Sequence, residues 1–239
     1  MRPTPLHRPH IGILSGAGIS AESGLQTFRD GGGLWEGHRP EDVATPLAWS
    51  KDPLQVNRFY NQRRSQLASV QPNPGHLSLV EMETWAQVSI VTQNIDDLHE
   101  RAGSTRVLHL HGKLTEARSS IDPQLIVKLG YRPIEPDEKA PDGSLLRPNV
   151  VWFGEQVEAF ESAARLVSRL DFLIVVGTSL LVFPAASLTD YLPPESHLIL
   201  VDPRPPENLG PEVSVIFAEP ASTGLPKAVS WIKGQASKS

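Results

Sequence analysis

The sequence predicts an α/β fold in which helices cover both faces of a parallel sheet, with a small helical and loop-rich insert. Five short apolar runs carry this prediction: IGIL near Ile11, VSIVT near Val88, VLHL near Val107, FLIVV near Phe172 and HLILV near Leu198. VSVIF near Val213 is a candidate for a sixth strand. Such continuous runs are typical of parallel strands that are buried on both faces.

Three segments between these runs have the features of helices. NPGHLSLVEMETW offers Asn73 as an N-cap, and DPLQVNRFYNQRRSQLASV offers Asp52, each followed by a proline. EQVEAFESAARLVSRL has apolar residues at helical spacing, namely Val157, Phe160, Ala164 and Val167. Strands that alternate with helices indicate a doubly wound fold.

The segment over residues 114–147 has a different composition. It contains several prolines and charged residues and a single apolar cluster, Leu125–Leu129. We therefore expect a small, loop-rich insert there.

Composition excludes several function classes. The chain has 239 residues, a net charge of −5 and no cysteine, and its pI is about 5.9. The charge predicts no nucleic-acid partner, and the absence of cysteine excludes disulfides, thiolate nucleophiles and cysteine zinc sites. No run approaches the ~18 apolar residues of a membrane helix, and the first ten residues lack the apolar centre of a signal peptide. We expect a cytoplasmic protein whose oligomeric state is open, with a monomer as the plausible form.

A glycine-rich loop follows the first apolar run, in HIGILSGAGISAESGLQTFRD at residues 10–30. Gly16, Gly18 and Ala21 match the dinucleotide pattern G-x-G-x-x-G/A, although a lone match fits a tight strand-to-helix turn equally well. A dehydrogenase needs a second strand that ends in an acid about 20 residues later. Here Glu22 and Asp30 lie in a polar, turn-rich segment, so the ribose must be bound by other residues.

Polar or small residues follow four other strands: QNIDDLHERAG, HGK, GTS and DPR. Ligands of open α/β sheets bind at this edge. Each motif alone also fits a structural role, as a helix cap for Asn94 and Asp96 or as buried imidazoles for His109 and His111. His111 is the best candidate for a general base, since an imidazole titrates near neutral pH. The sequence has no G-x-S-x-G or H-E-x-x-H motif, and no histidine in 114–147, so it gives little support to a serine hydrolase or a metal site.

Taken together, these motifs resemble the sirtuins, which are NAD-dependent protein-lysine deacylases. The matching stretches are GAGISAESGLQTFRD at 16–30, TQNIDDLHERAG at 92–103, HLHG at 109–112, RPNVVWFGE at 147–155 and GTSLLVFPAA at 177–186. The resemblance implies a Rossmann-like NAD-binding domain formed by 1–36, 69–113 and 147–239, and a small domain formed by 37–68 and 114–146. In the family NAD is consumed, nicotinamide is released and the acyl group leaves as O-acyl-ADP-ribose.

The resemblance also implies roles for individual residues. His111 becomes the general base, and Asn94 and Asp96 join it as catalytic residues. Contacts to NAD fall to Gly16, Ala17, Gly18, Ser20, Ala21, Thr27, Phe28, Arg29, Trp35, Gln93, Asn94, Ile95, Asp96, Gly177, Thr178, Ser179, Asp202 and Ala221. The family often has asparagine where this chain has Asp202. Contacts to the acyl-lysine peptide fall to Ala44, Tyr60, Arg63, Val151, Trp152, Phe153 and Gly154, with strand addition at 151–154.

Tyr60 and Arg63 are the residues that could determine which acyl group is removed. They are three residues apart on one face of a predicted helix, and an arginine with a phenol suits a carboxylate. On helix statistics alone, a solvated arginine beside Arg64 and a tyrosine packed on the core would explain them. However, Tyr-x-x-Arg resembles class III sirtuins, and Ala44 matches a small residue that leaves room for a longer acyl chain. We therefore predict removal of succinyl and malonyl groups alongside acetyl groups.

Most sirtuins hold zinc with four cysteines in the small domain. Here Ser119 and Ser120 lie near one expected position, and neither is a good zinc ligand. We therefore predict no bound metal, and a small domain held by Leu125, Ile126, Val127, Leu129 and Tyr131.

Two other functions remain open at this point. The chain could transfer ADP-ribose to protein or hydrolyse NAD, since both reactions cleave the same nicotinamide bond. It could also be a non-catalytic NAD-sensing module, although the presence of His111, Asn94 and Asp96 together argues against that.

Overall fold

A computed structural model describes residues 8–26, 37–205 and 213–237. Its strands are β1 (His10–Ser15), β2 (Gln87–Thr92), β3 (Val107–His109), β4 (Gly112–Ser119), β5 (Ile126–Lys128), β6 (Leu146–Val150), β7 (Phe172–Val176), β8 (His197–Val201) and β9 (Val213–Phe217). Its α-helices are α1 (Gly18–Ala21), α2 (Pro40–Val43), α3 (Pro46–Lys51), α4 (Pro53–Ser69), α5 (Pro74–Met82), α6 (Leu98–Ala102), α7 (Phe160–Val167) and α8 (Ala221–Ala236). A 3₁₀ helix spans Ala185–Tyr191.

The main sheet has six strands in the order β3-β2-β1-β7-β8-β9, and every neighbouring pair is parallel. All six strands expected from the sequence are therefore confirmed. The strand order reverses between β1 and β7, and ligands of open α/β sheets bind in the crevice at such a point.

Helices cover both faces of this sheet, which explains the continuous apolar runs. In β1 the side chains of Ile11 and Ile13 pack in a core beneath α5 and α8. Leu14 points the other way, into a core with Val167 and Leu188 from α7 and the 3₁₀ helix. Because neighbouring strand residues face opposite sides, both must be apolar when both sides are buried.

The insert contains strands that the expectation of a helical and loop-rich segment did not include. β4, β5 and β6 form an antiparallel sheet in the order β5-β4-β6. In β4 the side chains of Leu114 and Ala117 are buried, while Lys113, Glu116 and Arg118 are more exposed. Because charged residues alternate with its apolar ones, the strand could not be recognised as an apolar run in the sequence. The domain boundaries given above stay a prediction.

The core of the insert also differs in part from the expected one. It consists of Ala117, Leu129, Ile134, Ala140 and Leu146, with Val127 partly buried. Leu129 was therefore predicted correctly, whereas Ile126 is 49% exposed and Tyr131 is 40% exposed. Ile126 lies on the edge strand β5, and the Tyr131 hydroxyl donates to Asp97 Oδ2 at 2.6 Å.

Helix α4 joins the insert to the rest of the chain through polar side chains. Asn57 Nδ2 donates to the Leu146 carbonyl at 3.2 Å, and Asn61 exchanges hydrogen bonds with the backbone of Ile134 at 2.9 Å each way. Arg64 is fully buried, and its Nε donates to the Leu114 carbonyl at 2.7 Å. Along one helix, these side chains bind backbone groups of two strands and one loop of the insert.

No helix within the described ranges is long and apolar enough to cross a membrane. The cytoplasmic location stays a prediction.

Two buried histidines lie beneath the carboxyl edge of the sheet. The rings of His76 and His99 are 5.1 Å apart between centroids, and His99 Nε2 is 2.9 Å from Ser15 Oγ. Burial lowers the pKa of His76 to about 4 and that of His99 to about 3. Both rings are therefore neutral in the folded protein at neutral pH.

This pair predicts acid-sensitive stability. Below the ordinary histidine pKa of 6.5, the unfolded chain gains protons that the folded chain does not accept until about pH 4. Each histidine should therefore remove up to ~1.4 kcal/mol of unfolding free energy per pH unit through that window. Urea unfolding at pH 7.5, 6.5 and 5.5 measures this slope.

His99→Gln should reduce the slope and leave the contribution of His76. An unfolding free energy that stays constant between pH 7.5 and 5.5 would contradict the assignment.

Candidate active site at the carboxyl edge of the sheet

Two glycine turns meet where the strand order reverses. Gly18 N donates to the Gly177 carbonyl at 2.8 Å, and Gly16 N donates to the Val176 carbonyl at 3.0 Å. A Cβ on Gly16 would lie 2.7 Å from Thr178 Cβ, and one on Gly18 would lie 2.6 Å from Gly177 Cα. Only glycine permits this approach of the β1 and β7 turns, which leaves backbone at the surface of the crevice.

The loop after β2 is tied to both turns by side-chain hydrogen bonds. Gln93 Nε2 donates to Thr178 Oγ1 at 3.0 Å, and Asn94 Nδ2 donates to Ser20 Oγ at 3.3 Å. Ser20 Oγ in turn donates to Asp96 Oδ2 at 3.0 Å. The polar residues predicted after three separate strands are thus brought together.

The Asp96 carboxylate is buried in this cluster. Burial raises its pKa, while hydrogen bonds from the Leu98 backbone and Ser20 oppose that rise. Leu98 N donates to Asp96 Oδ1 at 3.1 Å, so the carboxylate also caps the start of α6. Each of its two oxygens therefore accepts a bond that fixes the orientation of the group.

His111 has its tautomer set by the same loop. Its Nδ1 is 2.9 Å from the Gln93 carbonyl, which can only accept, so Nδ1 carries the hydrogen and Nε2 presents a lone pair. Burial lowers the pKa of His111 below 6.5, although the Gln93 carbonyl opposes the shift. The ring is therefore a neutral base at pH 7.

His109 lies in the same region in a different arrangement. Its Nδ1 is 2.9 Å from the Asn94 carbonyl, and its Nε2 is 2.8 Å from Glu100 Oε1. Burial raises the pKa of Glu100, but hydrogen bonds from His109 and Lys113 outweigh burial and lower it to about 2. Both ring nitrogens of His109 thus face acceptors, and this ring holds the loop rather than acting as a base.

Helix α4 places the acyl-pocket candidates in a separate apolar cluster. Tyr60 is fully buried and Arg63 is 9% exposed, so Arg63 is not the solvated arginine of the structural alternative. Burial raises the pKa of Tyr60, and the charge of Arg63 opposes this rise. Ala44 and Ile95 pack in the same cluster.

The segment Val151–Gly154 connects this cluster to His111. Val151 N donates to the His111 carbonyl at 3.0 Å, and Phe153 N donates to the Ala44 carbonyl at 3.0 Å. Trp152 is buried, and its Nε1 donates to the Tyr60 hydroxyl at 3.1 Å. The Phe153 side chain is 50% exposed, and Gly154 has a φ of +91°.

The remaining candidates lie along the same edge or outside the description. Ala17 is exposed and Ala21 and Ser179 are half-buried near the glycine turns. Asp202, directly after β8, accepts from Arg204 N at 2.8 Å, and Ala221 begins α8, so both lie on the far side of the crevice. Thr27, Phe28, Arg29 and Trp35 fall outside the described residues.

Residues 16–184 match the Sir2 family. The chain belongs to the Sir2 family. It is 52% identical to an NAD-dependent protein deacylase of Helicobacter pylori strain J99 over 192 residues, which cover 80% of this chain and 82% of the relative. It is 50% identical to an NAD-dependent protein deacylase of Aggregatibacter actinomycetemcomitans over 205 residues, which cover 85% and 98%.

A solved complex of a Sir2 homologue with NAD has the same fold. It superposes with a TM-score of 0.85 at 38% identity, covering 97% of this chain and 92% of the other. The resemblance to sirtuins and the Rossmann-like α/β fold are thereby confirmed.

Sequence reasoning gave no role to two residues of this Sir2 family site, Arg147 and Glu155. They form a partly buried ion pair beside Trp152, with Arg147 Nη1 at 2.7 Å from Glu155 Oε1. Both stand at the ends of the motif RPNVVWFGE, whose charged ends on an apolar stretch were the available signal.

Proposed function

We propose that this chain is an NAD-dependent protein-lysine deacylase that removes succinyl, malonyl and acetyl groups from lysine side chains of proteins. One observation supports the proposal most directly: Val151 N donates a hydrogen bond to the backbone carbonyl of His111, the candidate base. Tyr60 and Arg63 are buried next to the segment Val151–Gly154. A base, a peptide-binding segment and a cationic pocket therefore adjoin. The family relatives named as NAD-dependent protein deacylases support the reaction class.

The crevice between β1 and β7 fits a dinucleotide. Its glycines let the β1 and β7 turns pack backbone against backbone, which shapes the floor of the crevice. The residues that would hold NAD there are Gly16, Ala17, Gly18, Ser20, Ala21, Gly177, Thr178 and Ser179. Asp202 and Ala221 would contact the adenosine end. Bound NAD would supply an electrophilic ribose carbon with nicotinamide as the leaving group.

The residues after β2 would act around that carbon. Asp96 accepts hydrogen bonds, so its buried carboxylate suits the amide N–H of a carboxamide, and Gln93, Asn94 and Ile95 would complete the same wall. His111 Nε2 would take the proton of a ribose hydroxyl, with Nδ1–H held by Gln93. Together these groups would orient the sugar, and His111 Nε2 would accept one proton from its hydroxyl.

The acyl pocket would distinguish a carboxylate from a methyl group. Arg63 offers a charged fork of N–H donors and Tyr60 a phenol, and a guanidinium binds a carboxylate in a bidentate way. Ala44 is small and buried beside them, which leaves length for a succinyl chain. Val151, Phe153 and Gly154 would bind the peptide, and Trp152 would pack on the lysine stem.

The experiment that tests the proposal is mass spectrometry of matched acetyl-, malonyl- and succinyl-lysine peptides with NAD. We expect all three acyl groups to be transferred and nicotinamide to appear only when an acyl peptide is present. Nicotinamide release without peptide would favour NAD hydrolysis or ADP-ribosyl transfer. NAD binding without turnover would favour a sensing module.

The zinc held by most sirtuins does not fit the residues of this chain. The sequence has no cysteine, and no three His, Asp or Glu residues cluster for a metal within the described part of the chain. Ser119 is buried at one expected ligand position, where its Oγ donates to Asp142 Oδ2 at 2.6 Å. The same oxygen accepts from Ile121 N at 3.1 Å and Asp122 N at 2.9 Å.

These hydrogen bonds support a small domain that folds without metal. We expect a chelator to leave both deacylase activity and the midpoint of thermal unfolding unchanged. Ser119→Ala should lower the unfolding free energy by about 1 kcal/mol, because it removes the acceptor of the Ile121 and Asp122 N–H groups and the donor to Asp142. Thermal and urea unfolding measure both effects.

Ser120→Ala is the matched control, since the Ser120 backbone N binds the Leu145 carbonyl and survives the change. Loss of activity in chelator that added zinc restores would refute the proposal.

A further inference from the structure

The ion pair of Arg147 and Glu155 holds the backbone at both ends of the peptide-binding segment. Arg147 binds Glu155 through two parallel contacts, Nη1 to Oε1 at 2.7 Å and Nη2 to Oε2 at 3.1 Å. Arg147 Nη2 also donates to the Val150 carbonyl at 3.0 Å, and Glu155 Oε2 accepts from Trp152 N at 2.8 Å. The pair therefore fixes the backbone on either side of Val151.

The same arginine fixes the ring of Trp152. Arg147 Cζ lies 3.3 Å from the Trp152 ring centroid, and the ring of Trp49 lies 5.8 Å away from it. A planar guanidinium stacks on an indole face in a way that a lysine ammonium does not reproduce. With Glu155 holding the guanidinium in place, the indole has one orientation.

That orientation determines the hydrogen bond that Tyr60 receives. Trp152 Nε1–H donates to the Tyr60 hydroxyl at 3.1 Å. The phenol oxygen is the acceptor in this bond, so its own hydrogen points away from the indole nitrogen. Tyr60 is fully buried beside Arg63, which limits the directions in which that hydrogen can point.

We propose that Arg147 is a positioning residue for acyl selectivity: by stacking on Trp152 it aims the Tyr60 hydroxyl at the carboxylate of a succinyl or malonyl group. This inference rests on the proposed function. In this role Arg147 acts through its stack on Trp152 and needs no contact of its own with the acyl group or NAD.

The test compares steady-state kinetics of succinyl- and acetyl-lysine peptides for Arg147→Lys, which keeps a positive charge toward Glu155 and loses the stack. We expect the ratio of kcat/KM for succinyl over acetyl to fall roughly 10-fold, about the worth of one hydrogen bond to a charged group. The change should appear in the succinyl KM, with kcat little altered.

Arg118→Lys is the matched control. Arg118 Nη2 also faces Glu155 Oε2, at 3.4 Å, but it is not part of the stack on Trp152. We expect this variant to keep the wild-type ratio. If Arg118→Lys lowers the ratio as much as Arg147→Lys does, or if neither lowers it, the inference is wrong.

Trp152→Phe provides a second route, because it removes the Nε1–H and leaves the Arg147–Glu155 pair. It should lower the same ratio, and the double variant should lower it no further, since both act through one hydrogen bond. This arm also decides the question if Arg147→Lys does not fold.

The outcomes separate the inference from the proposed function. A wild-type enzyme that removes no succinyl group overturns both. A wild-type desuccinylase in which Arg147→Lys and Trp152→Phe slow both substrates equally overturns the positioning role alone.

Discussion

His111→Ala is expected to lower kcat/KM for every acyl-lysine peptide by roughly 10²–10⁴-fold, the usual contribution of a positioned general base. The Gln93 carbonyl holds Nδ1–H, so the lone pair of Nε2 is the base that the variant removes. NAD should still bind, because the loop after β2 keeps its hydrogen bonds to Thr178 and Ser20 when the imidazole is removed.

The pH dependence of the wild-type enzyme gives an independent check. The base must be neutral, and burial lowers its pKa, so the acid limb of kcat/KM should have its midpoint below pH 6.5. His10→Gln is the control, since His10 stands at the amino end of β1, opposite the site. An acid limb that persists in His111→Ala would assign it to another group.

Arg63→Met is expected to lower the ratio of succinyl to acetyl kcat/KM by about 10- to 150-fold. A hydrogen bond to a charged group contributes about 1.5–3 kcal/mol, and methionine keeps the length of the side chain without its charge. Matched peptides in the same assay measure the ratio, and Arg63→Lys should restore part of it.

Arg58→Met is the control for this change, since Arg58 is an exposed arginine on the same helix α4. A ratio that does not change in Arg63→Met would make the role of Tyr60 and Arg63 structural.

The main sheet could be predicted because burial on both faces leaves a simple pattern. Ile11, Ile13 and Leu14 must all be apolar when helices cover both sides, and the same holds for Phe172–Val176. The insert gave no such pattern, because β4 has one exposed face and β5 is an edge strand.

The site could be predicted in part, for a related reason. Motifs that end parallel strands must meet at one edge, so Gln93, Asp96 and Thr178 were expected together and are linked by hydrogen bonds. The charged ends of RPNVVWFGE were the only sequence signal for the Arg147–Glu155 pair. Its link to Tyr60 through Trp152 could not be predicted, because it depends on tertiary packing.

Helix α4 connects the proposed acyl pocket to the architecture of the insert. Tyr60 and Arg63 are the proposed pocket residues, while Asn57, Asn61 and Arg64 of the same helix bind the backbone of the insert. If residues 114–146 change, α4 must change with them, because otherwise the proposed pocket shifts together with the helix that binds the insert. Chimeras that exchange the insert between sirtuins should therefore fold more stably when they also exchange α4.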